Sequence, residues 1–239
     1  MNLLLLEPRD FVAPQRVQIG DRRLAHLRDV LRAAPGDGLR AGLLDGALGT
    51  ATLLRLDADR AELAVALDAP PPPPRPVALI LALPRPKVLR RALRAATMLG
   101  IKEIHLLHSW RVEKSYWQTP LLRPEPMLRE LALALELAGD TVPPRVTCHR
   151  RFKPFVEDLL DGLCGSRRRL LAHPGATTAL HEVGAAPGTP AILVIGPEGG
   201  FIPYEVDRLT ARGFLPVTLG ARVLSVEVAL AAALGALGG

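Results

Sequence analysis

The sequence predicts an α/β protein: a parallel-sheet domain preceded by a small β-barrel domain. Three observations carry that prediction. The five-proline run Pro70 to Pro74, followed by Arg75-Pro76, favours polyproline II and acts as a semi-rigid spacer. Before it, short strand-like runs recur at about ten-residue spacing, the pattern of a small barrel. After it, continuous apolar runs alternate with helical patterns, as in βα units on a buried parallel sheet. The domains read as 1–69 and 77–239, with residues 70–76 as linker.

In the first part, Gly20-Asp21 is a turn. His26 to Leu31 reads as a short helix, with Leu24, Leu27, Val30 and Leu31 at helical spacing. Pro35-Gly36-Asp37-Gly38 is a turn signal. Leu39 to Leu44, Ala47 to Leu56 and Arg60 to Leu67 read as strands, broken by Asp45-Gly46 and Asp57-Ala58-Asp59. In the second part, Val77 to Leu83 is a buried strand and Lys87 to Leu99 a helix with Gly100 as its cap. Strands follow at Ile101 to Leu107, Leu170 to Ala172, Ala191 to Ile195 and Pro216 to Leu219. Helices are expected at Pro126 to Ala138, Tyr204 to Arg212 and Val226 to Leu237.

Composition bounds the function. With 49% hydrophobic and 23% charged residues, the chain is neither disordered nor collagen-like. It carries 26 Arg against 4 Lys and a net charge of +6. Most of that Arg excess over Lys is what a GC-rich coding sequence produces, which explains the net charge less well. The net positive charge points to polyanions, since the guanidinium fork matches phosphate oxygens. Cys148 and Cys164 cannot build a disulfide framework, and no zinc pattern surrounds them, so a reducing cytoplasm is expected. The run Leu3 to Leu6 is too short for a signal sequence. The C-terminal apolar run from Val228 reads as a buried helix, so neither membrane nor metal is expected.

Three segments are candidates for chemistry. Ile195-Gly196-Pro197-Glu198-Gly199-Gly200-Phe201 joins a strand to a helix, where open α/β sheets bind ligands. Its glycines permit close backbone approach, although a plain tight turn has the same composition. Its spacing is neither a dinucleotide fingerprint nor a P-loop. Leu219-Gly220-Ala221-Arg222-Val223-Leu224-Ser225-Val226-Glu227 is a second such loop. Ser225 as N-cap and Glu227 in the first helical turn need no catalytic role, whereas Arg222 is less easily explained that way. Lys87, Arg90, Arg91 and Arg94 share one helix face, either a phosphate-contact stripe or a solvated face, which Arg150-Arg151 and Arg167 to Arg169 would extend. His105 and His108 read as core or surface residues, while His173-Pro174 follows a strand's carboxyl end.

Together these segments resemble the RsmE family, the 16S rRNA uracil-N3 methyltransferases of the SPOUT class. The resemblance runs over nearly the whole chain. It rests on His26 to Arg32 with Pro35-Gly36-Asp37, on Asp45-Gly46, on Leu99-Gly100-Ile101 with Glu103-Ile104, and on Leu171 to Pro174. The most specific match is Ile195 to Gly200, the "IGPEGG" motif; Leu219-Gly220 with Arg222-Val223-Leu224 and Glu227 completes the set. The chain departs from the family at Ser225, Val226, Val228, Leu137 and Asp140.

The resemblance implies a PUA-like RNA-binding barrel, then a SPOUT domain with a trefoil knot, in a homodimer. It implies S-adenosylmethionine (SAM) held by His173, Gly196, Glu198, Gly199, Gly200, Leu219, Val223 and Leu224. Arg222 and Glu227 become the catalytic candidates. Arg28, Arg32, Lys87, Arg90, Arg91 and Arg94 become the contacts to 16S rRNA or the small ribosomal subunit. The expected reaction is methylation of uridine N3. Alternatives are another RNA position or atom, such as a ribose 2′-hydroxyl, and a non-catalytic RNA-binding or ribosome-assembly protein.

Overall fold

The computed structural model describes residues 2–183 and 188–237. The chain forms two compact units, Met1–Pro73 with Leu131–Pro143, and Pro74–Glu130 with Pro144–Gly239. The boundary lies within the proline run. The segment 131–143, expected to belong with the second part, groups with the first.

The first unit is built on a six-stranded sheet of β1 (Leu4–Leu6), β2 (Phe11–Ala13), β3 (Arg16–Ile19), β4 (Gly38–Leu43), β5 (Leu48–Leu56) and β6 (Ala61–Ala69). Their order is β1-β4-β5-β6-β3-β2. Only β1 and β4 pair in parallel; the other pairs are antiparallel. This fits the expected PUA-like domain. The leucine run contains β1, which takes up Leu4 to Leu6. Leu4 and Leu6 enter the main core with Val17, Ile19, Leu27, Leu53 and Leu63, and Leu3 and Leu5 pack on the other face with Leu135. A strand buried on both faces explains why four leucines follow one another. The expected helix at 26–31 begins earlier. Asp21 accepts a hydrogen bond from Arg23 N and starts α1 (Arg22–Ala25), which continues as a π-turn over His26–Val30.

The second unit carries a wholly parallel sheet of β7 (Val77–Ala82), β8 (Glu103–Leu107), β9 (Arg145–His149), β10 (Arg168–Ala172), β11 (Ala191–Ile195) and β12 (Leu215–Val217). The order β12-β10-β11-β7-β8-β9 places β7, the first of these strands in the chain, in the interior. The chain works outward to β9, then returns to build the other half. Its main helices are α2 (Pro86–Met98), α3 (Pro124–Ala138), which runs on into the segment grouped with the first unit, α6 (Pro203–Thr210) and α7 (Val226–Ala236). Short α4 (Phe152–Pro154) and α5 (Leu160–Cys164) flank a π-turn between β9 and β10. Strands β7 and β11 are buried at every residue, as their unbroken apolar sequences predict. Gly100 closes α2 with φ +80°, the left-handed conformation a C-terminal glycine supplies. Helix α2 packs on α7, and Arg75 reaches the carbonyl of Leu234 at 2.6 Å.

Candidate active site

Three chain segments leave the carboxyl ends of adjacent strands and meet. His173-Pro174 follows β10, Gly196 to Phe201 follows β11, and Thr218 to Ser225 lies between β12 and α7. They enclose a cavity of about 490 Å³, within the usual range for small-molecule sites.

Each loop is fixed by identifiable contacts. In the β11 loop, Gly200 N donates to the Pro197 carbonyl at 2.8 Å, and Gly200 adopts φ +71°. A Cβ on Gly196 would lie 3.2 Å from the ring of Phe201. Phe201 is itself buried and lines the cavity. The Glu198 carboxylate is turned toward the backbone, where Oε1 accepts from Arg85 N, the N-cap of α2, at 3.0 Å. The Arg111 guanidinium donates to the carbonyl of Gly199. In the β12–α7 loop, Thr218 Oγ1 donates to the Gly220 carbonyl at 3.0 Å and accepts from Gly220 N at 3.2 Å. Gly220 holds φ +121°. His173 N donates to the Val217 carbonyl at 2.9 Å. Its ring Nδ1 accepts from Gly175 N at 3.1 Å, which places the proton of the neutral ring on Nε2.

The cavity wall includes His173, Gly196, Glu198, Gly199, Gly200, Leu219, Val223 and Leu224. Arg222 also lines it and is exposed. Glu227 does not line it. Its Oε1 lies 3.1 Å from Arg91 of α2, and Oε2 is buried with no hydrogen-bond partner among the described residues. Ser225 occupies the N-cap of α7, and its carbonyl accepts from Ala229 N at 2.8 Å, but its hydroxyl makes no capping bond.

The α2 cations are not all bare. Arg90 and Arg94 both pair with Glu130, at 3.1 and 2.6 Å, and Arg91 pairs with Glu227. Lys87 is exposed. In the first unit, Arg28 is exposed and pairs with the adjacent Asp29 at 2.8 Å. Arg32 is exposed and holds φ +51°. The one-face pattern of α2 could not reveal the carboxylates, because they come from α3 and α7. Sequence reading also missed Arg111. Its contact with Gly199 spans 88 residues of chain, and nothing local marks it.

A family model described as an RNA methyltransferase domain matches residues 71–238. Ribosomal RNA small subunit methyltransferase E of Treponema pallidum is 32% identical over 238 residues, spanning 98% of this chain and 89% of that protein. Its namesake in Synechocystis is 32% identical over 245 residues, spanning 93% and 74%. The chain belongs to this RNA methyltransferase family. In fold it matches the ribosomal RNA small subunit methyltransferase E of Neisseria gonorrhoeae, solved bound to S-adenosyl methionine, with a TM-score of 0.74 and 24% identity. That match covers 99% of this chain and 96% of the other.

Within the methyltransferase, the departures around α3 lie outside the cavity. Leu137 is half exposed in the first unit, beside Glu136. Buried Glu136 receives a bidentate pair from Arg22 at 2.6 and 2.8 Å. Asp140 is buried, and its Oδ1 accepts from Thr141 N and Val142 N at 2.7 and 3.0 Å, closing the turn after the helix. Both carboxylates serve the fold. Among the described residues no helix is long and apolar enough to cross a membrane. Nor do three or more His, Cys, Asp or Glu gather as metal ligands among them.

Proposed function

We propose that this methyltransferase moves the methyl group of SAM to N3 of a uridine in 16S rRNA of the small ribosomal subunit. One observation supports the reading most. Eight positions matched to the family's cofactor contacts, scattered from His173 to Leu224, converge on one cavity. The residues fit the cofactor. Phe201, Leu219, Val223 and Leu224 offer apolar surface, and the glycine loops offer backbone N–H and C=O groups that no Cβ shields. When bound, SAM supplies an electrophilic methyl on a sulfonium.

Positioning does much of the work, because methyl transfer needs in-line approach of the nucleophile. Uridine N3 carries a proton at neutral pH; its release to solvent water leaves negative charge spread over N3 and both carbonyl oxygens. Arg222, exposed on the cavity wall, stabilises that charge. Glu227 acts one step back: it holds Arg91 and the start of α7, and so orients the loop that carries Arg222. The chain works in the cytoplasm as a homodimer, with a knotted second domain; sedimentation tests the dimer.

The decisive experiment is methyl transfer from labelled SAM to small subunits lacking the modification, followed by nucleoside mass spectrometry. Labelled 3-methyluridine is expected, and a different labelled nucleoside would reassign the target atom. Arg222→Ala should slow single-turnover transfer by about a hundredfold, the usual loss for one donor to a developing anion. SAM affinity should stay within a few-fold. Unchanged single-turnover rate would remove Arg222 from the chemistry.

A further inference from the structure

Trp110 stands out among the few aromatic residues. Its side chain is 77% exposed, whereas the other tryptophan, Trp117, is buried and donates through Nε1 to His108 Nδ1 at 2.9 Å. Leaving an indole in water forgoes a large hydrophobic gain. Yet the residue is not on a loose loop. Trp110 N donates to Oε1 of Glu205 at 2.7 Å. Glu205 is 2% exposed, and its Oε2 accepts from Ile202 N at 3.1 Å, at the start of α6. Val112 N closes the turn on the carbonyl of fully buried Ser109 at 3.0 Å. One buried carboxylate therefore ties the backbone of an exposed tryptophan to the helix that follows the cofactor loop.

The surroundings suit a nucleic acid. The next residue, Arg111, grips the carbonyl of Gly199, so the indole stands one residue from a group touching the cavity wall. Tyr204, adjacent in sequence to Glu205, is half exposed, and the guanidinium of Arg208 lies 6.0 Å from its ring centroid. Arg208 also pairs with Glu157 at 2.5 Å. Exposed aromatic faces interleaved with guanidinium groups are how proteins hold unpaired bases: the ring stacks and the cation meets phosphate. An N3 target can be methylated only with its Watson–Crick edge unpaired, so single-stranded RNA must reach this cavity.

We propose that Trp110 is a stacking platform for a base flanking the target nucleotide. The inference rests on the RNA methyltransferase reading and adds a substrate-positioning residue to it. Because Arg111 holds Gly199, occupation of the platform also steadies the cofactor loop.

The test uses the full-length protein with S-adenosylhomocysteine and hexauridylate as a non-reacting probe. Quenching of tryptophan fluorescence by the RNA is expected in the wild type and absent in Trp110→Ala, with Trp117 as constant background. Trp110→Ala should raise the KM for small subunits about tenfold and change kcat less, with SAM affinity unaltered. Trp110→Phe should recover most of the loss. A wild-type protein that hexauridylate does not quench, or a Trp110→Ala variant with the parental KM, overturns the platform. So does a Trp110→Ala variant of altered sedimentation mass, which would assign the indole to contact with a second copy. If the wild type fails to methylate subunits, the proposed reaction falls, while quenching by hexauridylate still decides the platform.

Discussion

At the residue scale, the cofactor loop separates two costs of adding a methyl group. At Gly200 a Cβ would meet nothing within 4 Å, but φ is +71°. Gly200→Ala therefore pays only backbone strain, about 1–2 kcal/mol. At Gly196 φ is not positive, but a Cβ would press on the Phe201 ring at 3.2 Å and approach Gly200 Cα at 3.5 Å. Either the aromatic wall or the loop must shift. Gly196→Ala should weaken SAM binding at least tenfold by calorimetry, with a small change in Tm. Gly200→Ala should lower Tm by a few degrees and affect affinity less. The reverse ranking would mean that loop strain, and not the shape of the wall, governs binding. In the first unit, Asp10 and Arg23 form a buried pair at 2.6 and 2.8 Å, with Asp21 completing the guanidinium's partners. Asp10→Ala leaves the buried guanidinium with the half-exposed Asp21 as its remaining carboxylate, so it should cost about 3 kcal/mol, the low end for breaking a buried pair, in urea unfolding.

At the scale of elements, strands β8 and β9 carry a pH dependence. His105 is buried; its Nε2 lies 3.0 Å from Glu103 Oε1 and its Nδ1 3.1 Å from His149 Nε2. Burial, then the neighbouring His105, holds the His149 pKa below its ordinary value, and burial does the same at His108. Between the lowered folded values and about 6.5, the unfolded chain binds more protons, so stability falls on acidification. Tm should drop from pH 7.5 to 5.5, and His149→Phe should flatten that drop; a Tm that rises would refute the assignment. These elements also show what the sequence could reveal. Strands β7 and β11 are buried on both faces, so their apolar runs announced them. Strand β9 reads Arg-Val-Thr-Cys-His and is only half buried, so no periodicity marked it. The π-turn over Phe155–Leu159 has no local signal either. The cavity was legible because glycine-rich strand-to-helix loops have a compositional mark. Arg111, Trp110 and the displacement of Glu227 toward Arg91 were not, because each depends on contacts between distant segments.

At the scale of the whole molecule, the net charge of +6 must be divided between cations already paired and cations able to meet phosphate. On α2 the division is visible. Glu130, with 15% of its side chain exposed, holds both Arg90 and Arg94, whose side chains are 55% and 38% exposed. Ion pairs with this much solvent contact contribute about 0–1 kcal/mol. On the proposal that this stripe meets RNA, incoming phosphates compete with Glu130 for Arg90 and Arg94 and with Glu227 for Arg91, so two acids hold the stripe in check. Binding of RNA should weaken steeply with salt, each lost phosphate contact removing about 0.7 from the log–log slope for a single strand. Lys87→Ala should reduce the slope by roughly one such contact. Glu130→Gln should do the opposite, freeing two guanidinium groups, tightening RNA binding several-fold at low salt and steepening the slope. If Glu130→Gln leaves both affinity and slope unchanged, the α2 cations form a solvated face, and the phosphate contacts lie elsewhere on the chain.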